Sequence, residues 1–160
     1  MPEYDRFVFH GSVVAVDGQG FLFTAKSGTG KSTHTRFWRE LLGEKAVMVN
    51  DDKPLISVRD NGIIIYGTPY NGKHRLGANI SVPLKAICIL TRGEKNSIVR
   101  IDKSEAYAML LQQVYRPRDP LQMAKTLKLV DKMAANAELY KLACNMDISA
   151  AETAYNEMKG

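Results

Sequence analysis

Ser27-Gly28-Thr29-Gly30-Lys31-Ser32-Thr33 gathers glycines, a lysine and hydroxyls into one short run. Glycines let a backbone fold tightly round an anion, so that successive N–H groups point inward. A helix opening at the end of such a turn adds unpaired N–H donors and the positive end of its dipole. In a phosphate-binding loop of this kind, Lys31 reaches the β- and γ-phosphates of a nucleotide, and the hydroxyl of Ser32 ligates Mg²⁺. The surroundings suit that chemistry. The apolar Phe21-Leu22-Phe23 precedes the run and a helix-like segment follows, the strand–turn–helix context of a P-loop. The strict pattern opens on glycine, and Ala25 stands there.

A pair of carboxylates supplies the next piece. Val47-Met48-Val49 reads as a buried strand and runs into Asn50-Asp51-Asp52. Acidic residues at the end of a strand beside the P-loop strand can hold Mg²⁺ directly or through water. Two adjacent ones can divide the work, one serving the metal and the other taking a proton from an attacking hydroxyl. Alternation along a strand would point them opposite ways, so both reach one site only across a turn.

His10 follows another apolar run, Phe7-Val8-Phe9. A hairpin from Val13 to Phe23, turning at Asp17-Gly18, would set its strands side by side and bring His10 towards the phosphate site.

His10-Gly11-Ser12, then the P-loop run, then Asp51-Asp52, together resemble the nucleotide site of the HPr kinase/phosphorylase family. They are also similar to ATP-dependent phosphoenolpyruvate carboxykinase, which shares that P-loop fold. The resemblance is detailed over about the first third of the chain. It implies Lys31 as the phosphate-binding lysine and Ser32 as the metal-ligating hydroxyl. It implies Asp51 as the base that accepts the substrate hydroxyl's proton, Asp52 near the metal, and His10 beside the transferred phosphate. The implied cofactors are ATP and Mg²⁺. Two features depart from the pattern. The basic stretch Gly72-Lys73-His74-Arg75-Leu76-Gly77 occupies roughly the region of a later metal-ligating glutamate. The family's separate N-terminal domain is also missing from these 160 residues.

The elements that must position these groups read as an α/β fold with a mixed sheet and a helical C-terminal third, in one domain over residues 1–160. Strands are expected at Phe7–Phe9, Ser12–Val16, Phe21–Thr24 and Val47–Val49. Hairpins are expected at Leu55–Val58 with Ile63–Tyr66, and at Lys85–Leu90 with Ile98–Ile101. A helix from Lys31 to Leu42 would bury Phe37 and Leu41 and stop at Gly43. From Ser104 onward the pattern is helical. Ser104 caps one helix running to about Tyr115, and Asp119-Pro120 opens a longer one burying Leu121, Ala124, Leu127 and Ala134. Ser149-Ala150-Ala151-Glu152 is a capping box for the last helix. Lys125, Lys128 and Lys132 form a basic stripe, read as a solvated face. Arg116-Pro117-Arg118 reads as a turn between helices.

Composition sets outer bounds. The hydrophobic fraction of 45% supports a real core, and the charged fraction of 24% is ordinary for a soluble protein. No apolar run is long enough to span a bilayer, and no signal peptide is visible. Cys88 and Cys144 lack metal-site spacing and read as reduced core thiols of a cytoplasmic protein. The net charge of +5 suits a polyanionic nucleotide; a nucleic-acid role has no stacking motif to support it. The expected function is a kinase transferring the γ-phosphoryl group to a hydroxyl of a protein, a peptide or a small molecule. The alternative is a nucleotide-binding regulatory module without catalysis. A homo-oligomer stays open on sequence alone.

Overall fold

The computed structural model describes residues 6–25, 31–50, 54–59, 62–66, 81–114, 118–145 and 148–158. In chain order the elements are β1 (Arg6–Val8), β2 (Ser12–Val16), β3 (Gln19–Thr24), α1 (Lys31–Leu42), β4 (Ala46–Asn50), β5 (Leu55–Arg59), β6 (Gly62–Tyr66), β7 (Ser81–Arg92), β8 (Ser97–Arg100), α2 (Lys103–Gln112), α3 (Pro120–Asn136), β9 (Glu138–Cys144) and α4 (Ser149–Met158). Among the described residues the strands form one mixed sheet in the order β1-β5-β6-β7-β3-β2-β4, with β9 beside β7 and β8 beyond it.

The hairpin of β2 and β3 pairs Ser12 with Phe23 and Val16 with Gln19. Its turn residues Asp17 and Gly18 both have positive φ, 52° and 78°, the twist a two-residue antiparallel turn demands. β4 runs antiparallel to β2, and β7 runs parallel to β3. Side chains alternate between the two faces of a strand, so two cores result. Val13, Ala15 and Leu22 join Phe7, Phe9, Ile56, Ile65 and the inner sides of α2 and α3. Val14, Val16, Phe21 and Phe23 join Trp38 of α1, Cys88 and the alanines of α4. The mixed α/β architecture expected from the hairpins is therefore present, as helices on both faces of a sheet with parallel and antiparallel neighbours.

The helical C-terminal third needs correction. Glu138–Cys144 is not helix but strand, running parallel to β7 from Ala86↔Glu138 to Arg92↔Cys144. Leu139 enters one core while Tyr140, Leu142 and Cys144 enter the other. A strand covered on both faces loses the clean polar–apolar alternation by which strands are read. The same strand overturns the hairpin expected between Lys85–Leu90 and Ile98–Ile101. β8 pairs antiparallel with β9, which lies between it and β7.

Helix faces also shift. In α1 the buried side chains are His34, Thr35 and Trp38, whereas Leu41 is exposed and Phe37 half-buried. In α3 the buried set is Thr126, Leu129, Val130, Met133 and Ala134. Leu121 is 82% exposed, Ala124 is exposed and Leu127 half-buried. The error in both helices was one of phase. The period of 3.6 was right, but a hydroxyl or imidazole with a partner can occupy the core side. Asp102, not Ser104, caps α2, accepting the Glu105 N–H at 2.9 Å, and the helix ends at Gln112. Asp119 caps α3 with Pro120 at its start, as expected. α4 begins at Ser149, whose hydroxyl accepts from the Asn96 amide at 2.9 Å. Among the described residues no helix is long and apolar enough to cross a membrane.

Candidate functional site

β3 ends at Thr24 and α1 begins at Lys31, so residues 25–30 connect a central strand to a helix. β2 lies antiparallel to both β3 and β4, which makes those two strands point the same way. Ser12 stands opposite Phe23, and Val13 opposite Asn50. The chain therefore leaves β3 towards the P-loop run and leaves β4 towards Asp51 at one edge of the sheet.

His10 joins that edge through the backbone. The Thr24 hydroxyl donates to the His10 carbonyl at 3.1 Å. The Phe9 N–H donates at 3.0 Å to the carbonyl of Pro54, where the chain returns from residues 51–53. The His10 N–H donates at 2.7 Å to the carbonyl of Gln113, just past α2. His10 itself is exposed. The next residue must be small, because a Cβ on Gly11 would lie 2.9 Å from both the Phe23 carbonyl oxygen and Leu22 Cδ1. That close approach seats the β1–β2 connection on the end of β3.

Beneath this edge, side chains lock the first turns of α1. The Ser12 hydroxyl donates to the Thr35 hydroxyl at 3.1 Å, with Met48 Sδ at 3.9 Å. The Phe23 ring meets His34 at 4.8 Å and Trp38 at 5.0 Å, both edge-on. Trp38 also contacts Phe21 at 5.1 Å and Tyr155 of α4 at 5.5 Å. Such aromatic contacts add to area burial and fix orientation. The start of α1 is thus held relative to the end of β3. Its first turn carries no carboxylate, an arrangement that suits a polyanion at the positive helix end.

His34 is neutral here. Burial pushes it down from 6.5 to about 4. Its Nε2 accepts the Trp38 Nε1–H at 3.0 Å, and protonation of that nitrogen would abolish the acceptor. In the unfolded chain the imidazole takes a proton near 6.5, so the unfolded state binds more protons between those values. Stability from this group is complete above pH 6.5 and declines as pH falls towards 4, by a total of about 3 kcal/mol. Urea unfolding of the wild type and His34→Gln should show this from neutral pH down to about 4.5. Glutamine can still accept from Trp38 but does not titrate, so its acid slope should be shallower. Equal slopes would remove His34 from the account.

The sequence-predicted residues divide as follows. Ser27, Gly28, Thr29, Gly30, Asp51 and Asp52 lie outside the described residues, as do Gly72–Arg75 and Arg116. Lys31 and Ser32 are described as the opening backbone of α1. Thr33 is half-buried in the same turn and Arg118 is exposed. What pattern reading missed is the support beneath the site, Ser12 with Thr35 and His34 with Trp38. The spacing of four between His34 and Trp38 is the signal that could have found the second pair. It also missed that Gln113 and Val114 abut Phe9 and His10.

No curated protein matches the chain. Among solved structures it is similar to the HPr(Ser) kinase/phosphatase from Coxiella burnetii, with 14% identity, a TM-score of 0.45, and coverage of 96% of this chain and 99% of that one. A family model described as SynChlorMet cassette protein ScmC matches residues 2–150, and the chain belongs to that family.

Proposed function

We propose that this chain is an ATP·Mg²⁺-dependent kinase that transfers the γ-phosphoryl group to a hydroxyl. The observation that carries the reading is the convergence on one sheet edge of three chain ends. They are the β3–α1 junction around Ser27–Ser32, the end of β4 before Asp51-Asp52, and His10. The acidic-free first turn of α1 agrees with a triphosphate there. Ser32 and Asp52 offer the hard oxygen ligands that Mg²⁺ takes, and the metal would neutralise charge on the β- and γ-phosphates.

In this reading Lys31 and the loop amides hold the phosphates. The acceptor oxygen forms its bond to the γ-phosphorus as the bond to the β,γ-bridging oxygen breaks, and ADP leaves with that electron pair. The hydroxyl proton passes to Asp51. His10 lies beside the transferred phosphate.

Incubation of the protein with γ-labelled ATP, Mg²⁺ and cell extract tests the reading. Label should appear on an acceptor, together with slow release of phosphate to water. The second reading, a nucleotide-binding regulatory module, is favoured by the basic Gly72–Arg75 stretch where a metal-ligating glutamate was expected. ATP retained unhydrolysed, with no labelled acceptor, would select it.

A further inference from the structure

β3, β7 and β9 are parallel neighbours. In sheets of parallel strands, ligands gather outside the carboxyl ends. These three strands do not stop level. The last pair between β3 and β7 is Thr24 with Ile89, whereas β7 and β9 continue in register to Arg92 and Cys144. At about 3.3 Å per residue, β7 rises roughly 10 Å past the point where the chain leaves β3, about 4.8 Å to its side. Arg92 stands at the top of this step.

Alternation sets its face. Ala86, Cys88 and Leu90 enter the core that holds Trp38 of α1 and the alanines of α4, and Arg92 comes next on that face. Its register partner Cys144 belongs to the same core. Burial pushes the Cys144 thiol up, and the charge of Arg92 draws it partly back. Arg92 is exposed, so a ligand can reach it. α1 begins on this face, since His34 in its first turn packs on Phe23, the partner of Cys88. α4 begins there too. The Asn96 side-chain oxygen accepts the Asn145 N–H at 2.9 Å and its nitrogen donates to the Ser149 hydroxyl at 2.9 Å, which ties the start of α4 to the end of β9. α1 packs over β2, β3 and β4, and α4 over β8 and β9, so β7 runs beneath the seam between the two helices.

We infer that Arg92 is a further nucleotide-binding residue, holding the α- and β-phosphates of a nucleotide that crosses β7 with its nucleoside towards α4. The inference rests on the nucleotide site proposed above and adds to it a residue and a direction. The end of β4 lies on the other side of β3, beyond β2. A γ-phosphate that meets the metal and the base therefore points towards β4, and the rest of the molecule extends over β7. The two helix starts agree with that polarity. The first turn of α1 carries no carboxylate, while that of α4 carries Glu152, so the polyanion belongs at α1 and the uncharged nucleoside at α4. Arginine suits the place between them. Its planar fork can give two parallel N–H bonds to phosphate oxygens, and its charge persists at every working pH.

Calorimetric titration with ATP and with ADP, each with Mg²⁺, decides the matter for wild type, Arg92→Gln and Arg92→Lys. Arg92→Gln should lose roughly tenfold in affinity for ATP and the same factor for ADP, because both carry the α- and β-phosphates. Arg92→Lys should recover part of that loss, since it restores the charge without the fork. Thermal unfolding of both variants should match wild type, as the side chain is exposed. Should Arg92→Gln fail to fold, Arg92→Lys alone carries the test with an equal loss of several-fold for both nucleotides. Unchanged affinity overturns the proposal. A loss for ATP with ADP unaffected would place Arg92 at the γ-phosphate and overturn the direction. An equal loss with a lowered Tm and no recovery in Arg92→Lys would make the residue structural and overturn its binding role. The two readings fail differently. If wild type binds neither nucleotide, the nucleotide site itself is wrong; if wild type binds and Arg92→Gln binds as well, Arg92 alone drops out.

Discussion

Replacing Asp51 by Asn should slow phosphate release from ATP by about a hundredfold or more, the usual contribution of a positioned general base. ATP affinity should stay within about twofold, because the proposed mechanism has this carboxylate meet the acceptor hydroxyl rather than the phosphates. Asp52→Asn should behave differently. Its carboxylate is assigned to the metal, so Mg²⁺-dependent nucleotide binding should fall along with turnover. Phosphate release over hours, measured beside calorimetric titration for both variants, separates the two roles. If both variants change affinity and rate in the same ratio, the division of labour is wrong. His10 lies between the two chain segments through its bonds to Thr24 and its neighbour's bond to Pro54.

The second large effect is on binding itself. Lys31→Ala removes the side-chain cation that, in the proposed site, would reach the β- and γ-phosphates. A hydrogen bond to a charged group contributes about 1.5–3 kcal/mol, so ATP affinity should drop by roughly ten- to a hundredfold. The fold should be untouched, since α1 is held from below by Ser12–Thr35 and by the ring contacts of Trp38. Calorimetry should show the loss and thermal unfolding should show none. Wild-type affinity in Lys31→Ala would end the P-loop assignment.

The candidate site was legible because its signals are local. Glycines before a Lys-Ser pair, apolar residues before a histidine, and two carboxylates after an apolar run are each read within a few residues. The β2–β3 hairpin was legible for the same reason, since Asp17-Gly18 encodes its own turn. What stayed hidden depends on contacts distant in sequence. Nothing within Ile98–Ile101 says that its partner is Glu138–Cys144 rather than the neighbouring Lys85–Leu90; only the arrival of β9 between them decides it. Helix phase failed similarly. Thr35 and His34 look polar until Ser12 and Trp38 supply their hydrogen bonds, and only then does that face of α1 qualify as core. The junction of Gln113 with His10 is a pairing of backbone groups about a hundred residues apart, for which side chains carry no code.

The placement of β9 has a consequence for biosynthesis. Every residue proposed for phosphoryl-transfer chemistry lies before Lys53, yet β7, which braces β3, is flanked on its other side by a strand that begins only at Glu138. Until the ribosome releases that stretch, β7 exposes an unpaired apolar margin from Ala86 to Arg92 and β8 lacks a neighbour. Long-range parallel pairing closes slowly, and open strand margins attract other chains. The stretch that completes the sheet beside β7 is therefore among the last to emerge. Translation that stalls in α3 would yield a fragment with an open strand margin.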